Sequence, residues 1–290
     1  MRITATVLTL IISLLMAGPA IAGPLEDAAK AYELGDYKTA YRLFRPLAKQ
    51  GLPEAQYSLG ALYYNGQGVP QDYAEAAKWY RKAAEQGHTL GQYNLGALYY
   101  NGQGVPQDYA DAVKWYRKAA EQGDAPAQYS LGVMYREGQG VPEDYVAAAK
   151  WCKKAAEQGY APAQSSLGVM YRNGQGVLQD YAEAAKWLGK AAEQEYAPAM
   201  YNLGIMYRNG QGVLQDNLLA HMWFNLATSL YPASQKEYRV QAATERDAIA
   251  SKMTPAQIAE AQKLAREWKP KMEKESADSD ANFSGGTFSE

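Results

Sequence analysis

Cysteine and histidine are nearly missing from this chain: Cys152 stands alone, and His88 and His221 are the only imidazoles in 290 residues. A single thiol excludes an intramolecular disulfide, so the fold must hold by packing. Two histidines far apart in sequence are poor material for zinc, which needs three or four converging ligands. There is no His-Glu-x-x-His, no Gly-Lys-Ser/Thr of a phosphate-binding loop and no Ser-x-x-Lys. The recurring Gly-x-Gly has no third glycine and no preceding strand, which removes a dinucleotide site. Asp278-x-Asp280-x-Asn282 is followed by Phe283 where a calcium loop needs glycine. No catalytic residue, metal ligand or cofactor is expected.

Charge of one sign is also lacking. Lys and Arg number 29 against 31 acids, for a net charge of −2, and no basic block stands out, which argues against nucleic acid as a partner. After Ala22 no apolar run is long enough for a membrane-spanning helix, which needs about 20 residues. The first 22 residues are a different case. Arg2, the short apolar run Val7–Ala17 and the small residues Ala20-Ile21-Ala22 read as a secretory signal, with the mature chain starting near Gly23. Its removal deletes one arginine and no acid, taking the net charge from −2 to −3. The expected location is the periplasm or the outside of the cell; an uncleaved anchor is the alternative.

What is abundant is repetition. Leu59, Leu95, Leu131, Leu167 and Leu203 are each 36 residues apart, and so are Gly60, Gly96, Gly132, Gly168 and Gly204. Tyr63 to Tyr207 and Trp79 to Trp223 keep the same step, which takes up five of the six tryptophans. Five in-phase units without an insertion predict a solenoid. Within a unit, Leu95, Leu98 and Tyr99 fall on one helical face. Gly102 ends that helix, Gly104-Val105-Pro106 continues the loop, and Asp108 caps a second helix with the stripe Ala112, Trp115, Tyr116, Ala119 and Ala120. The glycine inside each first helix costs about 1 kcal/mol relative to alanine. Five such costs imply a steric need, expected against the alanine edge of the second helix (Ala76, Ala83, Ala84) and Trp79.

The expected organisation is a signal over 1–22, an N-terminal capping helix pair over 23–51, five repeats over 52–231, C-terminal capping helices over 232–272 and a polar, disordered tail over 273–290. The repeats divide as 52–87, 88–123, 124–159, 160–195 and 196–231. The caps are placed near Ser234–Met253 and Pro255–Met272, the second opening on a Thr254/Gln257 capping box. The fold class is all-α: a right-handed α-solenoid of antiparallel helix pairs.

The pattern Ala-x-x-x-Leu-Gly-x-x-Tyr-x-x-Gly-x-Gly-Val-x-x-Asp, followed by Ala-x-x-Trp-Tyr-x-x-Ala-Ala-x-x-Gly, resembles the Sel1-like repeat family, a branch of the tetratricopeptide-like solenoids. The resemblance covers roughly residues 52–231, with Glu195 standing where a repeat-closing glycine is expected. Residues 25–51 resemble a degenerate tetratricopeptide unit, and 220–227 with 253–268 resemble the closing segment of bacterial members. It implies a non-catalytic scaffold that organises other proteins. Some cysteine-rich relatives are described as penicillin-binding or β-lactamase-like, but their paired cysteines are absent here. Cys152 falls in the column Tyr80, Tyr116, Cys152, Leu188, Phe224, an apolar packing position.

In such solenoids the first helices line the concave side. By that resemblance, the groove would be lined by Tyr57, Tyr64, Tyr93, Tyr100, Tyr129 and Arg136, then by Arg172, Tyr201 and Arg208, with Asn65, Asn101, Asn173 and Asn209 alongside. Tyrosine and arginine are enriched at interface hot spots. The expected ligand is another protein or an extended peptide, aromatic or apolar toward the early repeats and acidic toward the arginines. Peptidoglycan, stacked on tyrosines, is the second candidate.

Overall fold

The computed structural model describes residues 19–269, with side chains from residue 23. The described residues form fourteen α-helices, one 3-10 turn and no strand. They fall into two compact units, one ending at Gln158 and the other starting at Gly159. The first contains α1 (Pro19–Glu33), α2 (Tyr37–Lys49), α3 (Pro53–Asn65), α4 (Tyr73–Glu85), α5 (Thr89–Asn101), α6 (Tyr109–Glu121), α7 (Ala125–Glu137) and α8 (Tyr145–Glu157). The second contains α9 (Ala161–Asn173), α10 (Tyr181–Ala192), α11 (Ala197–Asn209), α12 (Asn217–Leu230), α13 (Lys236–Ala250) and α14 (Pro255–Glu267). Within each unit, consecutive helices pack as the pairs of a repeat solenoid. Most of the expected export signal and the whole of the 273–290 tail lie outside the described residues.

From α3 to α12 the loop inside each pair is built by two glycines and an aspartate. Gly66 takes a left-handed φ of 67° and caps α3, while the N–H of Gln67 donates back to Leu62 O at 2.9 Å. A side chain on Gly68 is excluded, because a Cβ there would stand 2.4 Å from Tyr37 O. Asp72 then caps α4: its carboxylate accepts from Ala74 and Glu75 N–H, and its own N–H donates to Tyr63 O at 3.0 Å. Asp108, Asp144, Asp180 and Asp216 repeat the arrangement. The near identity of these loops thus serves the turn.

The steric need at the helical glycines is real, but its source differs from expectation. A Cβ on Gly60 would lie 2.7 Å from Tyr80 Cδ1, and the equivalents meet Tyr116, Cys152, Leu188 and Phe224 at 2.7–2.8 Å. The ring against the glycine is therefore the residue after the tryptophan. The alanine edge enters through backbone, as Ala148 O near Gly132 and Ala184 O near Gly168. Trp79 instead joins Phe44, Leu47 and Leu59. Cys152 is 3 % exposed, and burial pushes its thiol up to about 11, the setting of an inert packing residue.

A second periodic device is polar. Gln56, Gln92, Gln128 and Gln164 are each 4 % exposed. Gln56 Nε2 donates to Ala48 O at 3.2 Å, and its Oε1 accepts from Gln86 Nε2 at 2.8 Å. Gln86 Nε2 also donates to Gly51 O at 2.8 Å. The same exchange recurs at Gln92/Gln122, Gln128/Gln158 and Gln164/Gln194. Each buried amide is thus bonded by the glutamine 30 residues on in its own repeat, and Gln56, Gln92 and Gln128 also donate back across a repeat junction to Ala48, Ala84 and Ala120 O. Met200 takes the position in the last repeat, fully buried, where the ladder ends.

The closing helices are shorter than the expected pair: α13 spans Lys236–Ala250, after the 3-10 turn Ala233–Gln235, rather than Ser234–Met253, and α14 stops at Glu267, capped by Trp268, rather than running to Met272. Its Thr254/Gln257 capping box is formed. Glu195, the only non-glycine with positive φ among the described residues, adopts φ 59° at the position where other repeats carry glycine.

Candidate functional site

The candidate stripe sits on first helices whose starts are capped in different ways. Leu52 gives α3 no side-chain cap, and Asp124 caps α7 through Ala127 N–H at 2.7 Å. His88 caps α5: Nδ1 accepts from Gly91 N–H at 3.0 Å while the ring stacks on Tyr57 at 4.8 Å. Burial lowers the pKa of His88, which keeps the imidazole neutral and able to accept.

In the first unit the stripe residues are all half-buried and in register. Tyr57 lies 5.7 Å from Tyr80, and Tyr93 lies 5.6 Å from Tyr116. Tyr64 meets Tyr73 at 5.2 Å, and Tyr100 meets Tyr109 at 5.4 Å. Each ring is thus held by a second ring on the following helix, which limits its rotamers while part of its surface stays open. Tyr129 keeps the same half-buried register. Arg136 pairs with its neighbour Glu137 at 2.9 Å, both side chains more than a third exposed.

The second unit holds Arg172, Tyr201 and Arg208. Arg172 Nη1 donates to Asn202 Oδ1 at 2.8 Å, and burial lowers its pKa without removing its charge. Tyr201 lies 5.6 Å from Phe224. Arg208 forms an ion pair with Glu245 of α13. Around that pair, Ile249 of α13 is buried with Ala220 and Phe224, and Tyr201 and Ile205 pack against the cluster. All three arginines are thus already engaged by this chain, Arg136 by its neighbour Glu137, Arg172 by a carboxamide and Arg208 by a carboxylate of another helix. Neither of the last two partners was legible as such: Asn202 belongs to a drifting Ser/Asn column, and Glu245 lies beyond the periodic part.

His221 is buried on α12, 2 % exposed, its pKa lowered by burial and then by Arg246. Among the described residues, no helix is long and apolar enough to cross a membrane.

The Sel1 repeat profile matches six segments: 26–52, 53–88, 89–124, 125–160, 161–196 and 197–231. The chain belongs to the Sel1 repeat family. The first match takes in α1 and α2, so the pair expected as a degenerate cap is itself a Sel1 repeat, without the Gly-x-Gly-Val loop. A Sel1 repeat protein from Oxalobacter formigenes is 30% identical over 83% of this chain and 96% of its own, with a TM-score of 0.72. A protective antigen present in uropathogenic Escherichia coli strains, displaying an SLR fold, is 35% identical over 89% of this chain, with a TM-score of 0.69. The chain spans 58% of that antigen's length. No curated protein matches the chain. Sel1 repeat proteins generally mediate protein–protein interaction.

Proposed function

We propose that this Sel1 repeat protein is a non-catalytic adaptor of the bacterial cell envelope, exported by the signal at 1–22, that holds an extended segment of a partner protein on the first-helix stripe. The observation that carries this reading is the set of half-exposed tyrosines on α3 and α5, each braced by a neighbouring ring. Braced aromatic rings lose little entropy on binding and supply large contact area, which suits them as anchors. In the second unit Arg172 and Arg208 give the stripe its preference for carboxylates, and an acidic partner residue would share or displace their present partners.

The test is capture from a cell-envelope extract by photo-crosslinker placed at Tyr64 or Tyr100, with crosslinker at the exposed Gln71 as control. Crosslinks to a defined partner at the tyrosines only, lost when Tyr57 and Tyr93 become alanine in a folded protein, support the reading. Equal capture at Gln71, or capture insensitive to the alanines, ends it.

A further inference from the structure

Helix α2 carries four cations, Lys38, Arg42, Arg45 and Lys49, and no acid. At 100° per residue they fall within about 60° of arc, over about 16 Å of helix. All four are exposed, while the opposite face buries Ala40, Phe44, Leu47 and Ala48. None forms an ion pair, hydrogen bond or ring contact among the described residues. The carboxylate that feels them is Asp36: its pKa is lowered chiefly by hydrogen bonds from Thr39, with Arg42 and Lys38 adding to the effect.

This differs from the other second helices of the same unit. In α4, Lys78 pairs with Glu75, Lys82 sits over Trp79 at 4.4 Å, and Arg81 donates to Tyr99 Oη. In α6, Lys114 and Lys118 both sit over Trp115, and Arg117 donates to Tyr135 Oη at 2.7 Å. Helix α2 has the same length, 36 residues earlier, but its cations lack those partners. Thr39 stands for Glu75, Leu43 for Trp79, and Lys49 for Glu85. The tyrosine due to Arg45 is Tyr63, but Tyr41 stands for Ala77 and its hydroxyl lies 3.1 Å from that of Tyr63, occupying it. These changes leave the four cations of α2 without an ion pair, hydrogen bond or ring contact among the described residues, with Asp36 acting on Lys38 and Arg42 only through charge.

The same face is concave. Tyr41, Arg42, Arg45, Pro46 and Lys49 line a cavity of about 270 Å³. Pro46 has no N–H, so the carbonyl of Arg42 lacks its helical donor and stands as an acceptor beside the cations.

We propose that this face of α2 binds an acidic segment of a partner protein, Asp/Glu-rich and extended. Alternate residues of an extended chain are about 6.6 Å apart, close to the 4.5–6 Å axial steps between the cations. A peptide brings carboxylates for the guanidinium forks and amide donors for the Arg42 carbonyl, whereas a phosphate polyanion brings acceptors alone. A membrane surface fits less well, because the apolar residues of α2 are spent in the core. None of this rests on the tyrosine stripe.

The experiment is fluorescence anisotropy of the full chain with a labelled peptide of about ten residues alternating glutamate and serine. A glutamine-for-glutamate peptide, anionic phospholipid vesicles and a single-stranded oligonucleotide serve as competing probes. The expected result is salt-sensitive binding of the glutamate peptide alone, weakened about tenfold or more by Arg42→Glu with Arg45→Glu and largely kept by Arg42→Lys with Arg45→Lys. Tyr41→Phe frees the Tyr63 hydroxyl for Arg45 and should weaken binding without reversing any charge. Failure of the glutamate peptide to bind overturns the proposal. So does equal binding by the Arg42→Glu, Arg45→Glu protein with helical content unchanged, or preference for vesicles or oligonucleotide.

Discussion

Cδ1 of the Tyr80 ring stands 2.7 Å from the point where Gly60 would carry a Cβ. Gly189, also inside a helix, has nothing within 4 Å of that point. The two glycines therefore predict opposite signs for one substitution. Gly60→Ala gains about 1 kcal/mol of helix propensity and meets an overpacking cost of about 1–3 kcal/mol, for a net loss. Gly189→Ala takes the gain alone, about 0.5–1 kcal/mol. Urea unfolding of both variants checks this, and equal shifts would show that the ring moves aside freely.

Glu195 holds φ 59° at a repeat junction where Gly87, Gly123 and Gly159 take φ 84–95°. A left-handed residue with a Cβ costs about 1–2 kcal/mol, partly offset by the greater entropy that glycine loses on folding. Glu195→Gly is therefore expected to stabilise the chain by about 0.5–1 kcal/mol, a rise of a few degrees in melting temperature. A lower melting temperature would mean that the Glu195 side chain contributes more than its strain.

The repeats were legible because every unit must bury the same faces, so Leu59, Gly60, Tyr63 and Trp79 return at a fixed step. The partner of Gly60 was not, since positions 79 and 80 are both large and apolar and only packing decides which one turns toward the first helix. The Gln56/Gln86 ladder keeps the step of the leucines strictly through four repeats and stops only at Met200. That strictness was the signal, because a solvated glutamine has no reason to keep a register. The Arg208–Glu245 pair had no such signal, as α13 lies outside the period and nothing in the chain ties its register to the stripe.

His88 must be neutral to accept from Gly91 N–H, and burial lowers its pKa below the ordinary value of about 6.5. His221 is shifted in the same direction. Below about pH 6.5 the unfolded chain takes up these protons before the folded one does. The stability they support is thus complete above that pH and is lost as pH falls toward the folded values. His88→Asn, which can still cap but does not titrate there, should melt with less pH dependence than the parent between about pH 7.5 and 5.5. Identical slopes would place the sensitivity at His221 alone.

The ion pair of Arg208 with Glu245 joins the last repeat to its closing helix, with both side chains about 30% exposed (31% and 28%). Arg208→Glu sets two carboxylates against each other and is expected to cost about 1–3 kcal/mol, more than a fully exposed pair would. Exchanging the two, Arg208→Glu with Glu245→Arg, restores opposite charges and should recover most of that loss. Partner binding separates the two roles of the arginine. If Arg208 only docks α13, the exchanged protein captures its partner as the parent does. If Arg208 also offers its guanidinium to a carboxylate on the stripe, the exchange restores stability but not capture. Glu245→Gln, which removes the competing charge, then binds more tightly than the parent. The proposed function predicts that second pattern, read from urea melts and crosslinked yield on the same set of variants.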